Sequence, residues 1–387
     1  MDPAVARRLV SEEGAAALDL AAAQPDPASL AAAGVLRKTV DADLAAAALS
    51  QVALRRRAAH KFGEAASSLF FTPDGLEQAT RPDVARWRAE RLAAAGVRRI
   101  VDLGCGIGAD ALAMATAGID VLAVERDEAT AVLAEANLRT VNIAPAHVLQ
   151  ADAVEADLDD RTVFCDPARR TGAGRTWNVA DFSPPWEFVT SLLDRDEGAC
   201  LKLGPGVPHR LLPERTLTEW VSHKGEAVEA CVWSRHLAEP GRAAMLLPTA
   251  NGLLATSASA PVGELDAFLH EPDPAVLASG ALGALAAATG AWRVHPDIAY
   301  LSTSEPTPSP FWTSFRILET FPWREKDLRQ WVRDRAIGTL EIKKRGIEID
   351  PAALRRRLKP KGPHRATIII TPTTGSARVL VVERMIG

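Results

Sequence analysis

The chain has 387 residues, 47% of them apolar and 24% charged, with a formal net charge of −4. That length predicts two or three domains, and the composition is that of a globular protein with an ordinary core. No window approaches the ~18 consecutive apolar residues of a membrane span, and "MDPAVARRLVSEEG" has early acids and no apolar segment, so neither an anchor nor a secretory signal is expected.

Residues 1–92 read as a helical domain rich in Ala, Leu and Arg, with loops at "QPDPAS" and "FFTPDG". From Arg98 the pattern changes to alternating strands and helices, which predicts a parallel sheet over residues 93–248. The strands are "RRIVDLG", "IDVLAVER", "AHVLQAD", "RTVFCDP" and "GACLKLGP". "GEAVEACVWS" and "GRAAMLLP" follow as a closing antiparallel pair, for seven in all. "SPPWEFVTSLLD" predicts a helix with Ser183 as its N-cap and a proline at N1. Residues 249–320 suggest a small α+β domain, and residues 321–387 a last module ordered helix, strand, helix, strand, turn, strand. From Arg324 onward there are 16 Lys and Arg against 7 Asp and Glu, so a basic tail follows an acidic body and a polyanionic partner is expected.

Four cysteines without a C-x-x-C pair, and eight histidines without metal spacing, predict buried thiols, a reducing cytoplasm and no metal site. Chemistry enters at "DLGCGIGAD", Asp102 to Asp110. Gly104, Gly106 and Ala109 fit the dinucleotide fingerprint, with Glu125 near its ribose position. Asp102, Gly104, Gly106 and Gly108 equally fit the S-adenosylmethionine loop of class I methyltransferases. The acids decide. A carboxylate at Asp102 repels a pyrophosphate but orients a cationic amino-acid portion. Glu125 can accept both ribose hydroxyls, Asp152 can accept from the adenine amine, and Asp166-Pro167 ends the fourth strand beside the transferable methyl. The expected cofactor is therefore S-adenosylmethionine.

"DLGCGIGAD…ERD…QADA…CDPARR" resembles the class I methyltransferases related to trimethylguanosine synthase. Within them it is most similar to a bacterial group with a C-terminal THUMP-like domain, which "GTLEIKKRGIEIDPAALRRRLK" also resembles. The resemblance implies a Rossmann-like α/β fold, an upstream segment "FFTPDGLEQAT" folded over the cofactor, and cofactor contacts from Thr80, Cys105, Asp110, Arg126 and Ala153 as well. Where the family has D/N/S-P-P and an aromatic, this chain has Asp166-Pro167-Ala168-Arg169, so the stacking ring is missing from that position.

Arg169 and Arg170 beside the methyl site could pair with an acceptor's phosphate or carboxylate, and Arg175 lies in a Gly-containing loop suited to a substrate lid. "SPPW" sits seventeen residues too late to be the motif, although Trp186 or Phe182 could swing in as the platform. Lys343, Lys344 and Arg345 ("KKRG"), with "RRRLKPKG", could track a nucleic-acid backbone. The expected function is methylation of a nucleobase in structured RNA, tRNA or rRNA, with the tail docking the fold. A methyltransferase for an anionic small molecule, and a non-catalytic RNA-binding protein that retains the cofactor, are the alternatives.

Overall fold

The N-terminal helices start at side chains that satisfy their free amides. Asp2 accepts from the Ala4 amide ahead of α1 (Pro3–Leu9), and Ser29 accepts from Ala32 ahead of α3 (Leu30–Leu36). Asp41 accepts from Asp43 and Leu44 ahead of the 21-residue α4 (Ala42–Phe62), while α2 (Glu12–Ala22) has two acids in its first turn. Thr72 caps α5 (Pro73–Gln78), and α6 (Pro82–Ala94) follows. The computed structural model describes residues 1–141, 143–169 and 177–385. They fall into two units, 1–218 with 230–240, and 219–229 with 241–387.

In the first unit, β1 (Arg99–Leu103), α7 (Ala109–Thr116), β2 (Asp120–Glu125), α8 (Glu128–Leu138) and β3 (Ala146–Gln150) alternate as expected. After them come β4 (Thr162–Cys165), the short β5 (Ala168–Arg169) and β6 (Phe182–Ser183), α9 (Trp186–Ser191) and β7 (Ala199–Leu203). The parallel order is β3-β2-β1-β4-β7. β4 is buried at every position, and β1 and β7 at four of five, as strands covered on both faces are. Strand order reverses between β1 and β4, and ligands of open α/β sheets bind at the carboxyl ends beside such a switch.

The sequence suggests two closing strands, but residues 217–254 form four: β8 (Leu217–His223), β9 (Glu226–Trp233), β10 (Gly241–Leu247) and β11 (Asn251–Leu254). Cys200 of β7 pairs with Trp233 of β9 in antiparallel register. β8 shows no apolar alternation because all seven of its positions are buried, polar ones included. Ser183 is not a helix cap. It pairs with Ala168 across the β5–β6 ribbon, and Pro185 holds the N-cap of α9.

Two apolar clusters tie the helical start to the sheet. Leu9, Leu18, Leu36, Leu44 and Leu49 pack with Ala129 and Leu133 of α8. Leu54, Ala58, Leu69, Phe71 and Leu76 close over Ile107, inside the Gly-rich turn. Asn137 of α8 locks this arrangement. Its amide donates to the carbonyls of Phe70 (3.0 Å) and Ile107 (2.9 Å), and its oxygen accepts from the Phe70 amide (2.7 Å).

The second unit holds β12 (Phe268–Pro272), α10 (Pro274–Ser279), α11 (Leu282–Thr289), β13 (Trp292–His295), β14 (Ile298–Thr303) and β15 (Trp312–Pro322). It continues with α12 (Glu325–Asp334), β16 (Ile337–Lys344), α13 (Pro351–Leu358), β17 (His364–Pro372) and β18 (Ala377–Arg384). One seven-stranded sheet, β13-β14-β12-β15-β18-β17-β16, runs through stretches that read separately in the sequence. Leu328, Val332, Leu354 and Leu358 of α12 and α13 cover one face of it. The other face curls round Leu269, Tyr300, Phe315 and Ile369, so closely that a Cβ on Gly346, just past β16, would collide with Ile298 of β14.

Candidate active site

The turn after β1 is held by its own main chain. The Gly104 and Cys105 amides both donate to the Val124 carbonyl (2.9 and 3.0 Å), and the Gly108 amide donates to the Cys105 carbonyl (2.9 Å). Gly104, Gly106 and Gly108 have φ of 77°, 57° and 80°, a region glycine enters without strain. Glu125 sits at the end of β2, where one carboxylate oxygen accepts from the Gly106 amide (3.1 Å) and the other from Asp127 (2.9 Å). Each oxygen keeps a lone pair for a further donor. Arg126 is exposed, with its carbonyl taken by Gln150 (3.1 Å). Asp152 is exposed past β3 and accepts from Val154 (3.2 Å), with Ala153 beside it.

Asp102 is 1% exposed, and its Oδ2 has no hydrogen-bond partner. Burial holds its carboxyl well above the usual range, the nearby Asp110 and Asp166 push the same way, and Arg88 and Lys202 oppose them. Asp110, in the first turn of α7, is bound by the fully buried Arg88 and accepts from Thr80 at 2.5 Å. Arg88 also lies over the Phe164 ring, 4.8 Å from its centroid. Burial pushes the Cys105 thiol up, which keeps it protonated.

Asp166 and the buried Pro167 follow β4, and the ammonium of Lys202 from β7 pairs with the Asp166 carboxylate. A Cβ on Gly104 would reach the Asp166 carbonyl at 4.0 Å, so this main chain borders the Gly-rich turn. The β5–β6 ribbon then brings "SPPW" back to "DPAR", setting Phe182 opposite Arg169. Trp177, Phe182 and Trp186 form a ladder with centroids 5.8 and 5.0 Å apart, and Trp177 reaches Gly204 at the end of β7. Arg170, Arg175 and the side chain of Arg169 lie outside the described residues. A cavity of about 390 Å³ lined by Glu187, Asp194, Arg215 and Arg235 includes none of the predicted site residues.

Sequence reasoning missed Lys202, Arg88 and Lys61. Lys202 had a signal, a lone lysine inside the otherwise apolar strand "ACLKL". Lys61, in the last turn of α4, donates to the carbonyls of Leu76 (2.9 Å) and Glu77 (3.3 Å), and is drawn down to about 8 by burial, then by Lys202 and Arg81.

In the second unit, Lys343 pairs with Glu271 and lies 5.1 Å from the Phe315 centroid, and Arg345 lies 5.2 Å from that of Tyr300. Only Lys344 of the three is exposed. Among the described residues, no group of three or more His, Cys, Asp or Glu could hold a metal. No helix there is long and apolar enough to cross a membrane.

The residues present fit S-adenosylmethionine. A buried carboxylate oxygen lacks a donor, a Cβ on Gly106 would meet nothing within 4 Å, and Glu125 can still accept. When bound, that group supplies a methyl already activated on a sulfonium. A sheet of this order, with a Gly-rich turn after β1 and an acid at or just past the ends of β1, β2, β3 and β4, is a class I S-adenosylmethionine-dependent methyltransferase fold.

Family models agree. The methyltransferase small domain matches residues 71–181, the THUMP domain-like family residues 312–384, and a domain family of unknown function residues 2–58. An S-adenosylmethionine-dependent methyltransferase of Mycobacterium tuberculosis is 34% identical over 335 residues, 82% of this chain and 90% of the relative, in two strains alike. A methyltransferase crystal structure from Porphyromonas gingivalis overlays with a TM-score of 0.78 at 23% identity, over 96% of this chain and 98% of the other. The chain belongs to the S-adenosylmethionine-dependent methyltransferases that carry a C-terminal THUMP-like domain.

Proposed function

We propose that this chain methylates a nucleobase in structured RNA, tRNA or rRNA, with the THUMP-like module docking the fold. The observation that carries the reading is the basic surface from the last turn of α13 into β17. Arg356, Lys359, Lys361 and Arg365 are exposed there, and none has a carboxylate partner among the described residues. Arg355, which donates to the Leu340 carbonyl (2.8 Å), and Arg357, paired with Glu325, are spent on the fold instead. Exposed cations of this kind bind phosphates and release counterions. Lys344 extends the surface, whereas Lys343 and Arg345 support the fold beneath it.

In this reading residues 1–92 cap the site, 93–248 hold it, and 249–320 with 321–387 present the RNA. Asp102 orients the amino-acid end of the cofactor, aided by Thr80, Gly104, Cys105, Gly106, Gly108 and Asp110. Glu125 and Arg126 border its ribose, and Asp152 and Ala153 its adenine. Asp166 and the following main chain accept from the target amine, Arg169, Arg170 and Arg175 steady the acceptor, and the ladder ending at Trp186 stacks on the base. Methyl transfer from an activated donor depends mainly on alignment and exclusion of water, which these residues supply.

The test is RNA binding against salt. β16, β17 and β18 share a sheet with β12 to β15, so charge substitution perturbs the surface more cleanly than deletion. Lys361→Glu and Arg365→Glu should weaken tRNA binding uniformly across sequences and flatten its salt dependence by about one unit for each phosphate no longer neutralised. An unchanged salt slope would remove the support.

A further inference from the structure

One face of α9 borders a cavity of about 390 Å³, a size within the range of small-molecule sites. Glu187, Thr190, Ser191 and Asp194 recur there at the spacing of a single helical face. The hydroxyls of this lining are spent on nearby main chain: Thr190 donates to Trp186 (3.0 Å), Ser191 to Phe188 (2.8 Å) and Thr216 to Pro213 (2.6 Å). The charges are not. Glu187, Asp194 and Arg215 are exposed, and their side chains have no ion pair or hydrogen-bond partner among the described residues. Arg235 gives only its Nε, to His236 (3.1 Å), and keeps its other donors. Two anions and two cations therefore line one cavity without pairing across it. Leu193 and Pro213 add apolar surface between them.

We infer that this cavity is a nucleotide site, and that guanine is the base it takes. A carboxylate only accepts and a guanidinium only donates, so the ligand brings an anionic group for the arginines and N–H donors for the acids. A phosphate meets a guanidinium in the bidentate manner that its planar fork favours. Leu193 and Pro213 suit the flat apolar face of a base, which an amino acid lacks. Guanine offers two adjacent donors, at N1 and the exocyclic amine, that one carboxylate accepts together. Adenine and cytosine set a single amine beside an acceptor nitrogen, which a carboxylate repels, and uracil has one N–H between two carbonyls. Glu187 directly follows Trp186, so the site abuts the aromatic ladder without sharing a residue with it. The inference stands apart from the RNA reading, because the same chemistry arrives as a free nucleotide or as a guanosine of the RNA. The competing role for these side chains is solvation of an open groove, which would not tell one base from another.

The experiment is calorimetry of guanosine 5′-monophosphate with the full chain, its cofactor site saturated with S-adenosylhomocysteine, beside the adenosine and uridine monophosphates. The guanosine nucleotide should bind about tenfold more tightly than the other two. Arg215→Ala should weaken it about tenfold, and Glu187→Gln should abolish the preference for guanine. Both side chains are exposed, so the unfolding temperature should stay at the wild-type value. Asp166→Ala should leave the binding unchanged, which separates this cavity from the acceptor site. No binding, equal binding of the three nucleotides, or wild-type affinity in Arg215→Ala overturns the site. A KM for RNA raised about tenfold in Arg215→Ala, at unchanged kcat, makes the guanosine part of the RNA, and an unchanged KM makes it a free nucleotide. Guanine-selective binding with no RNA methylated keeps the site and discards the RNA reading, and RNA methylated without such binding does the reverse.

Discussion

Asp102→Asn should make the empty protein more stable and the cofactor site much weaker. The wild-type carboxylate is buried, has an oxygen without a partner, and is pushed further by Asp110 and Asp166. An ionised buried carboxylate costs more than a neutral amide in the same place, so the variant should raise the unfolding free energy at neutral pH, by on the order of 1 kcal/mol or more. The sign with pH follows from linkage. The folded carboxyl lies above its unfolded value, so the wild type loses stability as pH rises out of the ordinary carboxylate range toward the folded value. The amide of the variant cannot ionise, so the gap between variant and wild type widens with pH and closes in acid. The same change removes the counter-charge for a cationic ammonium. Breaking a buried pair costs about 3 kcal/mol or more, a loss of affinity on the order of 100-fold. Denaturant unfolding at pH 5 and pH 8, with calorimetry of S-adenosylmethionine, reads both. A variant no more stable at the higher pH, or one that binds the cofactor normally, would rule out a buried Asp102 carboxyl that charges only to meet the cofactor's ammonium.

Lys202→Met strips Asp166 of its cation, so the pH at which methyl transfer reaches half its maximum should move upward; Lys202→Arg should move it back. Asn137→Ala removes three hydrogen bonds between α8, residue 70 and the Gly-rich turn, at a cost of about 2–3 kcal/mol, visible as faster amide exchange at Phe70. Gly106→Ala forces a side chain to φ 57° where nothing lies within 4 Å, so it should cost about 1 kcal/mol of stability but far more in cofactor affinity.

Much of the first unit was legible because parallel strands announce themselves as short apolar runs, and the first four runs here, β1 to β4, end at or beside an acid. Asp102, Glu125, Asp152 and Asp166 all lie at or just past the strand ends where the pattern places them. Pairings between distant segments leave no such mark. "SPPW" lies seventeen residues beyond its expected place, yet the β5–β6 ribbon returns it beside "DPAR". β8 hid because burial on both faces let polar residues into a strand without alternation. Lys343 and Arg345 looked like free cations in a run of charge. The curl of the second sheet instead sets them against Glu271, Phe315 and Tyr300, side chains of strands well upstream in the chain. Lys61 had no local signal at all, since its hydrogen-bond partners are main-chain carbonyls some fifteen residues downstream.

We propose that Asp166 marks the place where a methyl group passes to RNA. Tritiated S-adenosylmethionine incubated with the full chain and RNA from cells lacking the gene tests it directly. Wild-type protein should give acid-insoluble tritium in one nucleoside, and Asp166→Ala should lose that label while cofactor binding persists. Equal label from Asp166→Ala, or tritium recovered only among small molecules, would contradict it.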